Sequence, residues 1–219
     1  MGVNKDVLNK QREHWQATFE NCPDMFGLEG SYAAKKAAKL FKKEGKEKIL
    51  ELGGGQGRDA LFFGQSDFQV DVLDYCESGL EAIEEKSKKM ALSHKIKTKC
   101  HDVRKPLPFK DNTFDACYSH MLFCMALTTD ELEFLSSEIR RVLKPKGINI
   151  YTVRTTKDAH YRTGIHRGED IYEVGDFVVH FFSEDKVNNL SKGYKIVDID
   201  EFEEGELPRK LYCVVLEKE

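Results

Sequence analysis

The sequence predicts an α/β fold, a parallel sheet with helices on both faces, on three observations. Short apolar runs alternate along the chain with charged amphipathic stretches, the pattern of strands covered by helices. Phe114 to Ser119 is apolar enough to be buried on both faces, as the central strand of a covered sheet must be. Gly and Pro are spread along the 219 residues with no repeat and no low-complexity linker. One domain over 1–219 is therefore expected, long enough to bury its core without staples or metal.

The N-terminal part reads as helical. Residues 3–19 carry Val7, Leu8, Trp15 and Phe19 at apolar positions, and Asn21 to Gly27 is rich in turn residues. Ser31 is placed to cap a second helix running to about Glu44, with Ala34, Ala37, Ala38 and Phe41 on one side and lysines on the other. The lysine face is read as solvated. Lys48 to Leu52 is a short strand, and Gly53 to Gly57 is a glycine-rich turn opening a helix at Arg58. A second strand runs from Phe68 to Asp74, a helix from Glu77 to Ser93, and a third strand from Ile96 to Cys100. Pro106 and Pro108 break the following loop. After the fourth strand, Thr129 and Asp130 precede a helix to Leu143, closed by Pro145 and Gly147, and Ile148 to Val153 is the fifth strand. From Arg154 to His180 the regular pattern fades. A short helix ends at Leu190, and the last two strands, Lys195 to Phe202 and Lys210 to Glu217, are joined by a link too short for a crossover helix, so they pair antiparallel.

Composition excludes more than it identifies. A formal net charge of −4 lacks the broad basic footprint that a phosphate backbone requires, which argues against a nucleic-acid partner. No apolar run approaches the roughly 20 residues that span a bilayer, and the polar opening MGVNKDVLNKQREHW does not resemble a signal peptide. No membrane partner and a cytoplasmic location are expected. The six cysteines form no C-x-x-C pair and are read as reduced thiols, several of them buried.

The strongest feature is Ile49-Leu50-Glu51-Leu52-Gly53-Gly54-Gly55-Gln56-Gly57. Glycines at the end of a strand let the chain turn sharply and bring its backbone against a ligand, and the helix that follows presents free N–H groups. Dinucleotides and S-adenosylmethionine both use such a site. The dinucleotide fingerprint fits poorly: counted from Gly53, its sixth position is Arg58, too bulky for the close helix–strand contact served there by a small residue. Glu51 before the glycines would repel a pyrophosphate and attracts an ammonium or sulfonium instead. Asp74, at the end of the second strand, is placed to accept hydrogen bonds from both ribose hydroxyls.

The stretches ILELGGGQG, VDVLD, HDV and FDACYSH resemble the class I S-adenosylmethionine-dependent methyltransferases, over about residues 48 to 219. The resemblance implies a Rossmann-like, seven-stranded, mostly parallel sheet of order 3-2-1-4-5-7-6 with the last strand antiparallel. It implies S-adenosylmethionine as cofactor, leaving S-adenosylhomocysteine, with Glu51, Gly53, Gly55 and Gly57 at its turn, Asp74 at its ribose, and Asp102, Val103 and Tyr75 about its adenine. Tyr118 is assigned to the cofactor site with them. The block HWQATFENCPDMFG is similar to the tellurite-resistance and thiopurine methyltransferases, whose N-terminal segment folds over the cofactor and whose acceptors are soft chalcogens. Residues 1–47 are then an N-terminal helical cap on a core of residues 48–219.

Methyl transfer asks the protein to align a nucleophile, exclude water and sometimes remove a proton. Open α/β sheets place ligands at the carboxyl ends of their strands, where His120 is the best-placed titratable group, either catalytic or a satisfied strand-end histidine. The segment at about 154–182 is expected to act as a lid-like insertion. Arg154 or Arg167 within it would read an anionic part of the acceptor, or pair with neighbouring acids. The expected substrate pocket comprises Trp15, Phe26, His120, Arg154, His166 and Tyr172, with Phe19 a further candidate wall residue. No metal site is expected, since no compact ligand spacing occurs. The acidic run Asp198, Asp200, Glu201, Glu203, Glu204, Glu206 reads as a solvated strand edge. The favoured function is a methyltransferase of a small molecule, thiol-type or another soft chalcogen. Its rivals are an NAD-dependent oxidoreductase and a non-catalytic partner-binding subunit.

Overall fold

The computed structural model describes residues 5–205 and 209–219. The expected helix start at Val3 and the turn residues Glu206, Leu207 and Pro208 lie outside the described residues. Helix α1 spans Lys5–Asn21 and α2 spans Tyr32–Lys43. Strand β1 (Lys48–Leu52), helix α3 (Arg58–Gln65), strand β2 (Gln69–Asp74), helix α4 (Glu77–Lys89) and strand β3 (Ile96–Cys100) follow as two β-α-β units. Strand β4 (Phe114–His120), helix α5 (Thr129–Val142) and strand β5 (Leu143–Arg154) come next. Three short strands, β6 (Ile165–Gly168), β7 (Ile171–Val174) and β8 (Phe177–His180), precede helix α6 (Glu184–Leu190). Strands β9 (Tyr194–Glu204) and β10 (Arg209–Lys218) end the chain.

The main sheet has the order β3-β2-β1-β4-β5-β10-β9, with β10 antiparallel to both neighbours and the other pairings parallel. This is the expected seven-stranded order. The strand order reverses between β1 and β4, and a crevice at that point is the ordinary ligand site of such sheets. Two apolar layers sandwich the sheet. Ala33, Ala34, Ala37 and Phe41 of α2 join Ile49, Phe63, Ile83 and Tyr118 in one. Leu132, Leu135 and Ile139 of α5 join Leu50, Leu52, Tyr151 and Phe182 in the other. The alanine stripe lets α2 lie close to the sheet, and Ser31 caps it by accepting the Ala34 amide at 3.0 Å. Helix α5 starts in a capping box, with Thr128 and Glu131 satisfying each other's backbone amides.

One expectation is corrected here. Residues 154–180 are not patternless: β6, β7 and β8 form a separate antiparallel sheet. Strands of four residues are too short to show an alternation in sequence. Helix α1 packs on this small sheet through Gln11, which donates to the Asp176 carbonyl (3.1 Å) and accepts the Val178 amide (3.1 Å). Among the described residues no helix is long and apolar enough to cross a membrane. Four cysteines are buried and two, Cys22 and Cys100, are exposed; all six are free.

Candidate active site

A cavity of about 560 Å³ opens at the carboxyl ends of β1, β2 and β4, within the size range of small-molecule sites. The glycine turn forms its floor. Gly53, Gly55 and Gly57 have φ of +71°, +51° and +90°, a region open to glycine and costly for other residues. Gly54, not singled out beforehand, is needed for space: a Cβ there would come within 2.3 Å of a Val72 methyl. The turn is pinned from both sides. Asp74 accepts the Gly55 amide (2.8 Å) through one carboxylate oxygen and the Cys76 amide (2.9 Å) through the other. Gln56 donates to the carbonyls of Phe19 (3.2 Å) and Cys22 (3.0 Å) and accepts the Met25 amide (3.0 Å), tying the end of α1 to the turn.

Glu51 reaches the same cavity from β1, is 3% exposed, and leaves its Oε2 without a hydrogen-bond partner. Burial, then the neighbouring charge of Asp59, raises its pKa well above the ordinary carboxylate range, against the pull of Arg58. A buried orphan oxygen is costly unless a donor arrives. An ammonium is such a donor, so this residue fits the methionine end of S-adenosylmethionine. Asp74 retains unused lone pairs beside its two amide bonds, enough for ribose hydroxyls. A satellite space of about 50 Å³ continues past Gly53, Asp74 and Tyr75 to Asp102, Val103 and Leu127. There the Asp102 carboxylate is already gripped by Arg104, at 2.7 to 3.1 Å, so an incoming adenine amino group would share it.

The roof is aromatic. Trp15 and Phe19 come from α1, Phe26 from the loop after it and Phe177 from β8, with Trp15 at 5.0 Å from Phe177 and 5.4 Å from Phe19 between ring centroids. Met25, Met121 and Met125 add a polarizable wall. His120 stands at the end of β4, opposite Thr152 in the β4–β5 register. Its Nε2 lies 2.9 Å from Glu204 and its Nδ1 3.1 Å from the Thr152 hydroxyl. Met121, the next residue, has φ +62°, an uncommon conformation for a side-chain-bearing residue. It is held by its amide donating to the Thr152 hydroxyl (2.9 Å) and carbonyl (3.2 Å).

Several expected site residues stand elsewhere. Tyr118 is fully buried under α3, where its hydroxyl is 2.8 Å from Asp59 and 3.1 Å from Ser31; it does not line the cavity. His166 is exposed on β6, its ring 4.9 Å from that of Tyr172 on β7, and neither lines the cavity. Arg154 does line it, but its guanidinium is committed to Asp158 (3.1 and 2.5 Å) and donates to His160 (2.9 Å). Arg167 is paired with Glu173. Neither arginine offers an uncommitted charge to an anionic acceptor.

Other lining residues had no marker in the sequence. Arg58 pairs with Asp59 (3.0 Å) and sits over the Phe26 ring. Glu204 belongs to the acidic run assigned to solvent; Asp198 and Asp200, on the same face of β9, do pair with Lys36 of α2, but Glu204, at the end of the strand, lines the cavity.

Residues 49–147 match the family model described as a methyltransferase domain. Over those residues, just under half of the chain, the sequence matches a methyltransferase domain, and the fold is the one seen in solved S-adenosylmethionine-dependent methyltransferases. In sequence it is similar to 24-methylenesterol C-methyltransferase 3 of Arabidopsis thaliana, 29% identical over 165 residues, covering 73% of this chain and 44% of that protein. The chain spans less than half the length of the curated relatives it matches. In structure it is similar to the Burkholderia thailandensis 1,6-didemethyltoxoflavin-N1-methyltransferase, solved with S-adenosylhomocysteine, at TM-score 0.77 and 16% identity, covering 100% of this chain and 91% of that one. TehB from Haemophilus influenzae is similar at TM-score 0.69 and 16% identity, covering 94% and 67%.

Proposed function

We propose that the protein is an S-adenosylmethionine-dependent methyltransferase whose acceptor is a small molecule with a soft, thiol-type nucleophile. The observation that carries the cofactor assignment is the convergence of the orphan Glu51 oxygen, the Asp74 carboxylate and the glycine turn on one cavity. Glu51 would take the cofactor's ammonium, Asp74 its ribose hydroxyls, and Tyr75, Asp102 and Val103 would border its adenine. When bound, the cofactor supplies a methyl group on an already activated leaving group.

The chain's own residues then have to orient the acceptor and keep water out. The aromatic roof of Trp15, Phe26 and Phe177 does the second and favours an apolar acceptor body. The methionine wall favours a polarizable nucleophile. The His120–Glu204 pair is the polar group at the reacting end, and a thiol, with an unperturbed pKa of about 8.5, asks little of a base. The sterol and toxoflavin precursors named for similar proteins put carbon and nitrogen acceptors into the same trial.

Calorimetry with S-adenosylhomocysteine tests the cofactor site, and a screen of thiols, chalcogen oxyanions, amines, phenols and sterols with labelled S-adenosylmethionine tests the acceptor. Micromolar or tighter product binding with thiols as best acceptors is expected. Binding of NAD(H) without S-adenosylhomocysteine would favour an oxidoreductase, and cofactor binding without any turnover a non-catalytic subunit.

A further inference from the structure

We propose that Glu204 is the residue that touches the acceptor's reacting atom, with His120 behind it as a positioning residue; this rests on the methyltransferase assignment and narrows its acceptors to those that carry a proton on the nucleophilic atom. Both ring nitrogens of His120 are occupied. Nε2 faces Glu204 at 2.9 Å and Nδ1 faces the Thr152 hydroxyl at 3.1 Å. The Thr152 hydroxyl is itself fixed by the Met121 amide at 2.9 Å. The imidazole has no further nitrogen with which to meet a substrate.

Glu204 has the capacity His120 lacks. A carboxylate offers about four acceptor positions, and His120 fills one of them. The other oxygen lies 3.9 Å from Arg58, an ion-pair distance longer than a hydrogen bond. The side chain is 23% exposed and lines the cavity. It enters from the end of β9, whereas the cofactor turn enters from β1 and β2. Burial raises its pKa, but the His120 hydrogen bond and the charges of His120 and Arg58 outweigh that and hold it below the ordinary glutamate range, against the opposing charge of Asp59. It is therefore an ionised hydrogen-bond acceptor at neutral pH.

An ionised carboxylate with a depressed pKa is a weak base, and the reaction needs no stronger one. The acceptor sulfur forms its bond to the methyl carbon while the methyl–sulfonium bond breaks, its electron pair remaining on the cofactor sulfur. As the methyl group arrives, the thiol becomes a far stronger acid than a carboxylic acid, so its proton leaves in the same step as the transfer. Its S–H bond breaks toward Glu204, the electron pair stays on the thioether sulfur, and the proton ends on the Glu204–His120 pair.

The test uses phenylmethanethiol, which stays protonated at neutral pH, and aniline as probes, titrated calorimetrically into the S-adenosylhomocysteine complex and assayed with S-adenosylmethionine, for wild type, Glu204→Gln, His120→Asn and His120→Phe. Glu204→Gln should weaken phenylmethanethiol binding and lower kcat on the order of 100-fold, with S-adenosylhomocysteine affinity within about threefold of wild type. His120→Asn, whose amide N–H can still hold the carboxylate, should keep at least about five times the kcat of His120→Phe. Wild-type rate and thiol binding in Glu204→Gln, or equal losses in the two His120 variants, would overturn the assignment. So would a wild type that binds S-adenosylhomocysteine but neither binds nor methylates either protic probe. A wild type that fails to bind S-adenosylhomocysteine would overturn the methyltransferase assignment instead.

Discussion

Asp74 holds in place the very turn it faces: its Oδ2 accepts the Gly55 amide at 2.8 Å. Its other oxygen accepts the Cys76 amide, so the residue links β2, the glycine turn and the start of α4. Loss of the carboxylate should therefore act twice, on the turn's shape and on the ribose contact. Hydrogen bonds to a charged group are worth about 1.5–3 kcal/mol, so Asp74→Ala should weaken S-adenosylhomocysteine binding by about 10- to 100-fold. Asp74→Asn should fare little better, because its amide N–H₂ must face one of the two backbone donors. Calorimetry decides, and equal affinity in wild type and Asp74→Ala would remove Asp74 from the cofactor site.

Tyr118 makes the converse prediction. Its hydroxyl shares the Asp59 Oδ2 with the Ser31 hydroxyl, both at 2.8 Å, inside the core. Burial raises the Asp59 pKa, yet Arg58, His120 and the Ser31 amide outweigh that and keep it low, so the acceptor is charged. Tyr118→Phe should cost about 1.5–3 kcal/mol of stability, read by urea unfolding. S-adenosylhomocysteine affinity should stay within about threefold of wild type, because the residue does not border the cavity.

Gly79, in the first turn of α4, is a sharper probe of the turn than the turn glycines themselves. A Cβ at this position would lie 2.5 Å from the Gly55 carbonyl oxygen and 3.1 Å from its carbon. Backbone cannot rotate aside as a side chain can, so Gly79→Ala must push α4 away from the turn, at about 1–3 kcal/mol. Both the unfolding midpoint and S-adenosylhomocysteine affinity should fall, although Gly79 itself need not touch the cofactor.

The floor of the site was legible because its constraints are local. Glycines at left-handed φ and an acid at a strand end carry their reasons within a few residues of chain. The sheet order was legible through the same short apolar strands and the abrupt final link. What escaped depended on partners far away. Glu204 looked like one more solvated acid because the histidine that turns it inward is 84 residues earlier. Tyr118 looked like a cavity residue because its true partner, Asp59, is 59 residues away and carried no marker. Arg154 stood open between reading an acceptor and pairing with neighbouring acids, and its ion pair with Asp158, four residues on, realises the second. The small sheet of β6 to β8 was hidden by strand length alone.

Glu51 yields a prediction about pH that separates the empty protein from the loaded one. Its raised pKa, caused first by burial and then by Asp59, means the folded empty protein keeps a proton that the unfolded chain releases near its ordinary value of about 4.3. The folded state then binds more protons than the unfolded one, and stability falls as pH rises from that value toward the folded pKa. In that window the slope for one group is at most about 1.4 kcal/mol per pH unit. Glu51→Gln removes the titration but preserves the shape. Its melting temperature without ligand should match wild type near pH 4 and exceed it increasingly as pH is raised toward the folded pKa. Saturating S-adenosylhomocysteine should reverse the order at pH 7, because only the carboxylate gains from the ammonium. Thermal melts of both proteins at several pH values, with and without S-adenosylhomocysteine, measure this directly. A pH-independent difference in the empty proteins would mean that Glu51 is ionised in the empty cavity, and an unreversed order with ligand would mean that the ammonium binds elsewhere.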